Sequence, residues 1–308
     1  MRVRVGKMRS TEQQPSKKEL EHWLFDQRPE NVEKTPFRKV TPEGVKRFLD
    51  LSGERHNGGY FQYTNESALL GIYNNATLHL SLGRTLNDKV EFLMCDSESW
   101  TRTYIASFSF GTMESIGMWS VYGRPPEKAV RIAFPRHVVL SIRDAARSVD
   151  NLRVAVPSGK KDGGFSYRPL PVGVGIEHVS LHDVIYQYGR EIVSENGSIR
   201  QGTVIWNRRM GLTDRCKAFS DCSRCPTLAT YAKNVLWAGE FEVRLAVRLN
   251  RALSFKRKLA VSFPRNLLSG ISVTMGPMTK NPDKTANRIE RLCPGIPVVT
   301  SAFQAIYR

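Results

Sequence analysis

Ala238-Gly239-Glu240-Phe241-Glu242-Val243-Arg244-Leu245 is the stretch whose reading decides the fold. Successive side chains of a strand point to opposite faces, so an extended reading predicts Phe241, Val243 and Leu245 on a core face. It puts Glu240, Glu242 and Arg244 in one row on the other. Such a row is either a solvated salt-bridge ladder or the floor of a catalytic cleft, and the alternation alone leaves both open.

Working outward, the rest of the chain alternates short strands with short helices. Tyr60 to Thr64 suits a strand, Asn65 a helix cap, Glu66 to Tyr73 a helix stopped by Asn74-Asn75, and Thr77 to Leu82 a second strand. Thr103 to Phe110 makes a third, with Ser107 and Ser109 on the face of Ile105. A loop carrying Met118 to Gly123 leads to an alternating strand over Ala129 to Phe134. A helix end is expected over Asp144 to Val149, and short strands over Val154 to Val156, Ile176 to Val179 and Val184 to Tyr188. Lys233 to Trp237 then leads into the opening stretch. Ile271 to Met275 and Val298 to Ser301 read as late strands, with a helix over Asp283 to Leu292. The fold class expected is mixed α/β (α+β).

Residues 1–44 are polar, carry Pro15, Pro29, Pro36 and Pro42, and offer one helix, Lys17 to Phe25. They read as an extension, with 45–308 as a single domain. No apolar run approaches the length of a membrane span and the basic start lacks an apolar signal core, so a soluble cytoplasmic protein is expected.

The 46 Lys+Arg exceed the 29 Asp+Glu, and the net +17 divides as +3, +1 and +13 over residues 1–44, 45–199 and 200–308. The positive field therefore belongs to the third that holds the Glu-x-Glu stretch. Such an excess fits a polyanionic partner, RNA or DNA, because neutralising phosphates releases counterions. Candidate contacts are Arg215, Lys217 and Arg224 in a loop, then Arg248, Arg251, Lys256, Arg257 and Lys258; the alternative is a solvated basic face. Cys216, Cys222 and Cys225 fall within ten residues. Cys222-x2-Cys225 has the spacing of a zinc knuckle, but four ligands are not evident locally, and free thiols are the preferred reading.

Two resemblances follow from these residues. Phe61-Gln62-Tyr63-Thr64, Leu78 to Ser81, Asn87-Asp88, Ser107-Phe108-Ser109, Met118-Trp119, Tyr122, Trp237, Glu240 to Arg244 and Ser272 to Pro277 resemble a bacterial domain-of-unknown-function family associated with phage-defence and toxin loci. That likeness runs from about residue 60 to the C terminus. In addition, Tyr60 to Tyr63 followed by a helix, then Ser107-Phe108-Ser109, then Glu240-Phe241-Glu242 resemble, in order, the three NAD-gripping elements of the ADP-ribosyltransferase fold. Departures are the lack of Arg or His in the first strand and Phe108 where Thr is usual.

The second resemblance implies a split β-sheet core and NAD as substrate. It implies catalytic roles for Glu242, facing the developing ribosyl cation, and Glu240, on the acceptor. NAD contacts would fall to Gln62, Tyr63, Ser107, Ser109, Trp119 and Arg244. The expected function is ADP-ribosyl transfer to a nucleic acid by a toxin or phage-defence effector, with an antitoxin or other neutralising protein as a further partner. The alternatives are a non-catalytic nucleic-acid-binding or regulatory protein and, less favoured, a nuclease, for which no Asp/Glu/His cluster suited to two metals is visible.

Overall fold

A computed structural model describes residues 59–86, 101–110, 114–158, 165–193, 199–207, 211–213, 232–234, 240–253 and 258–306. The expected N-terminal extension, Asn87, Asp88, Arg215, Cys216, Lys217, Cys222, Arg224, Cys225, Trp237, Lys256 and Arg257 lie outside the described residues.

The architecture is α+β, a large mixed sheet with few helices. The first unit is β1 (Tyr60–Asn65), α1 (Glu66–Asn75) and β2 (Thr77–Leu82). Asn65 ends the strand in extended geometry while its side chain accepts the Ala68 N–H at 3.0 Å, satisfying one of the helix's orphan donors. Next come β3 (Thr103–Phe110), α2 (Ile116–Tyr122), β4 (Ala129–Phe134) and α3 (Arg136–Ala145). The stretch read as a loop around Met118 is thus a helix, started by Ser115, whose hydroxyl accepts the Met118 N–H. Gly123 ends it where a Cβ would lie 2.7 Å from the Trp119 carbonyl and 2.9 Å from the Ala129 Cβ, so only glycine lets α2 close on β4.

β5 (Leu152–Pro157), β6 (Phe165–Pro169) and β7 (Ile176–Asp183) follow, the last longer than its sequence signal. A separate four-stranded sheet joins β8 (Ile185–Val193), β9 (Ile199–Asn207), β10 (Gly211–Thr213) and β11 (Ala232–Asn234) in the order β10-β9-β8-β11. The chain returns to the main sheet with β12 (Glu242–Leu249), β13 (Lys258–Ser262), β14 (Ser272–Met275), α4 (Pro282–Leu292) and β15 (Val298–Thr300).

The main sheet branches at β3. One edge of β3 pairs with β12 from Thr103 to Ser109, and β12 carries β7 on its far side. The other edge is shared: β1 pairs at Ser109 and Phe110, β2 at Tyr104 and Ile105. Two wings diverge from it, β1-β4-β14-β15 and β2-β13-β5-β6. Between them the Gln62 side chain donates to the Ser107 carbonyl at 3.2 Å, satisfying a backbone group that no strand reaches.

One face of this sheet is the core. Tyr60, Phe108, Ile132, Phe134, Val243, Leu245 and Val261 are at most 1% exposed, and the same cluster takes in Leu69 of α1, Val138, Val139 and Ile142 of α3, and Ile289 of α4. Tyr60 and Phe134 each meet Phe108 edge-on, with centroids 5.9 and 5.6 Å apart.

The opening stretch departs from its simple reading. β12 begins only at Glu242, and Phe241 takes the left-handed conformation (φ 46°), which costs an L-residue about 1–2 kcal/mol. Period-2 alternation requires continuous extended backbone, so the kink removes Glu240 from the row. It also turns Phe241 out to 38% exposure, where a core position was expected.

On the β2 wing, His79 bonds the Tyr167 hydroxyl at 2.9 Å and meets Phe165 edge-on. Burial, and then the neighbouring Lys258 ammonium, lower its pKa to about 4. The unfolded imidazole, near 6.5, binds a proton first as pH falls. Stability present above about pH 6.5 is therefore lost between about pH 6.5 and 4, by up to about 3 kcal/mol. Urea unfolding of the wild type and His79→Gln across this window should show the difference between them shrinking as pH falls; parallel curves would remove His79 from the acid response.

Candidate active site

The opposite face of the sheet is polar where β1, β3 and β12 meet. The register sets Phe61 against Ser109 and Ser109 against Glu242, while Arg244 lies between Ser107 and His182 of β7. Residues directly opposite share a face. Phe61, Tyr63, Ser107, Ser109, Glu242, Arg244 and His182 therefore line one surface, at the point where the wings separate.

Glu242 and Arg244 form the centre. Glu242 Oε1 accepts from Arg244 Nε at 2.8 Å and Oε2 from Nη2 at 3.1 Å. The side chains are 4% and 1% exposed. This is a buried two-point ion pair, not the solvated ladder the sequence left open. Glu240, displaced by the Phe241 kink, is also buried, and its Oε1 accepts from the Tyr122 hydroxyl of α2 at 2.6 Å. The two carboxylates are thus held by different elements, one within β12 and one from α2.

Ser107 is exposed, whereas the Ser109 hydroxyl donates to the Phe61 carbonyl at 3.3 Å. Tyr63 lies beneath α2. Its ring meets Trp119 edge-on at 4.8 Å, and its hydroxyl accepts the Ser115 N–H at 3.0 Å. Trp119 is 5% exposed and donates Nε1–H to Glu114 at 3.0 Å. Glu114 also accepts from the Ser301 hydroxyl and, at 2.9 Å, from the Ala302 N–H, so one carboxylate ties the C-terminal turn to α2.

Two contributors were missed in the sequence, Glu114 and Arg131. Arg131 pairs opposite Tyr63 and is 9% exposed. Its guanidinium stacks 4.4 Å above Phe61, and Nη2 donates to Thr274 at 3.4 Å. Nε and Nη1 have no partner among the described atoms, an unusual state for buried charged donors. The signal was present: with Val130, Ile132 and Phe134 in the core, alternation puts Arg131 on the face of Tyr63. Donors of this kind fit a phosphate oxygen.

Among the described residues, the basic candidates Arg248, Arg251 and Lys258 do not form one track. Arg248 and Arg102 both bond Glu177 at 3.1 Å. Arg251 is exposed at the end of β12, and Lys258 lies on the other wing with its ammonium 5.5 Å from the Phe165 ring. Among the described residues no three His, Cys, Asp or Glu side chains are grouped to hold a metal, and no helix is long and apolar enough to cross a membrane. Cys293 is free and buried, and burial raises its thiol pKa. Set against known proteins, the chain matches no family model, no curated protein and no solved structure.

Proposed function

We propose that the chain is an NAD-dependent ADP-ribosyltransferase that modifies a nucleic acid, a toxin or phage-defence activity. The observation that carries this reading is the convergence of β1, β3 and β12 on one polar face at the branch of the sheet, with Gln62 bonded across the gap to Ser107. Cleaving a nicotinamide–ribose bond builds positive charge on the ribose, as in glycoside hydrolysis, and a fixed carboxylate stabilises that state above the ground state. Glu242 takes this role, its orientation set by Arg244. Glu240, set by Tyr122, acts on the acceptor. Arg131 supplies the guanidinium that the first strand lacks, and its unpaired donors suit a pyrophosphate oxygen.

Nicotinamide release by the full chain tests this without an acceptor. It is expected with the wild type and lost with Glu242→Gln, circular dichroism verifying that the variant folds. Release by the folded variant at the wild-type rate would exclude the assignment. Burial of the Glu242–Arg244 pair favours a second reading, a non-catalytic nucleic-acid-binding or regulatory protein with a structural ion pair. Nucleic-acid binding with no NAD cleavage by the wild type would select it.

A further inference from the structure

Two cavities are built on the segments that follow α2 and β14, the first of them beside α2. The first, of about 620 Å³, is lined by Trp119, Gly123, Pro125, Pro126, Pro277 and Met278, among others, and is largely apolar. The second, of about 670 Å³, is lined by Lys128, Lys280, Lys284, Arg288 and Arg291, with Glu127 the one carboxylate among its described lining residues. The same two segments, 125–129 and 277–285, contribute to both: Pro126 and Ala129 of the pocket flank Glu127 and Lys128 of the cleft, and Met278 of the pocket lies two residues from Lys280 of the cleft.

Helix α4 builds the basic wall. Lys284, Arg288 and Arg291 recur at i, i+4 and i+7 on one face, while Asp283 and Glu290 lie at a different angle and do not line the cleft. Arg288 is held by Glu66, but Lys128, Lys280, Lys284 and Arg291 are exposed. Asn281 gives α4 no side-chain cap, which leaves the positive end of the helix facing the cleft.

We infer that this pair of cavities binds a single-stranded nucleic acid, its phosphates along α4 and one unstacked base in the pocket beside Trp119. Charge complementarity selects a polyanion, and an apolar pocket at the end of a basic rail is how single strands are held when bases are splayed out. The volume suits a base-sized ligand. The inference deepens the acceptor half of the proposed function: Trp119 lies one turn of α2 from Tyr122, which holds Glu240.

Fluorescence anisotropy of the full chain with a labelled single-stranded oligonucleotide, as RNA and as DNA and without NAD, tests it. Removing two phosphate contacts with Lys284→Ala/Arg291→Ala should make the log–log salt slope shallower by about 1.4 and weaken binding about 25-fold near 0.1 M salt. Lys284→Arg/Arg291→Lys should keep both at wild-type values. Ser120→Trp, which fills the pocket, should weaken single-strand binding roughly tenfold and leave duplex binding unchanged. No binding by the wild type, or an unchanged slope in the alanine variant, would overturn the inference and leave the NAD reading untouched. Equal binding of duplex and single strand in wild type and Ser120→Trp would overturn the base pocket.

Discussion

Arg244→Met should lower the unfolding free energy by about 3–5 kcal/mol, a large part of the roughly 5–15 kcal/mol typical of a folded domain. The reason is asymmetric. Arg244 is 1% exposed and gives Glu242 two hydrogen bonds. Without it, a buried carboxylate loses the two charge-assisted hydrogen bonds that offset its desolvation. Glu242→Leu/Arg244→Met, which removes both charges and keeps apolar volume, should recover most of the loss, since buried ion pairs contribute little beyond apolar packing. Urea unfolding of the three proteins decides it. A single-variant loss below about 1 kcal/mol would mean that the pair behaves as a surface bridge. Glu242→Gln likewise weakens a buried ion pair, so its activity is interpretable only beside a fold measurement.

Glu240→Gln separates chemistry from stability better, because the Glu240 carboxylate accepts from the neutral Tyr122 hydroxyl, a partner that a carboxamide keeps. Its bond from Tyr122 survives as a neutral one, since the carboxamide oxygen still accepts. Loss of a fixed carboxylate at the acceptor should lower kcat about 10²–10³-fold, the usual scale for one preorganised electrostatic group. Tyr122→Phe removes the 2.6 Å bond that the hydroxyl gives Glu240, and roughly a tenfold fall is expected, in kcat and not in KM. If Tyr122 is merely structural, a melting shift without a kcat change will show it. Wild-type kcat in Glu240→Gln would take Glu240 out of the reaction.

The fold was read well where local rules sufficed. β1, β2, β3, β4 and α4 fall where alternation, the Asn65 cap and helical spacing put them. Tertiary effects were harder to see. α2 is short and is fixed by Glu114 just before it and by Tyr63 and the C-terminal turn, both distant in sequence, so Trp119 looked like a loop residue. The Phe241 kink is held by pairing: its carbonyl accepts the Phe110 N–H at 2.9 Å while the Glu242 carbonyl accepts the N–H of Val184, just past β7, at 2.9 Å, and nothing in Glu-Phe-Glu announces a left-handed residue. At the site, the shared face of Ser107, Ser109 and Glu242 followed from alternation once the strands were adjacent. Burial of the ion pair did not, because that depends on what covers the face. Arg131 was legible and overlooked, its signal lying in the apolar residues beside it.

Transfer of label from NAD, radiolabelled in the ADP-ribose half, to mixed single-stranded RNA and DNA tests the central claim most directly. Labelled nucleic acid is expected with the wild-type chain, and at least about 10²-fold less with Glu240→Gln or with Glu242→Gln at a temperature where both are folded. Label transferred equally by the wild type and both folded variants, or no transfer by a wild type that binds the oligonucleotide, would contradict it.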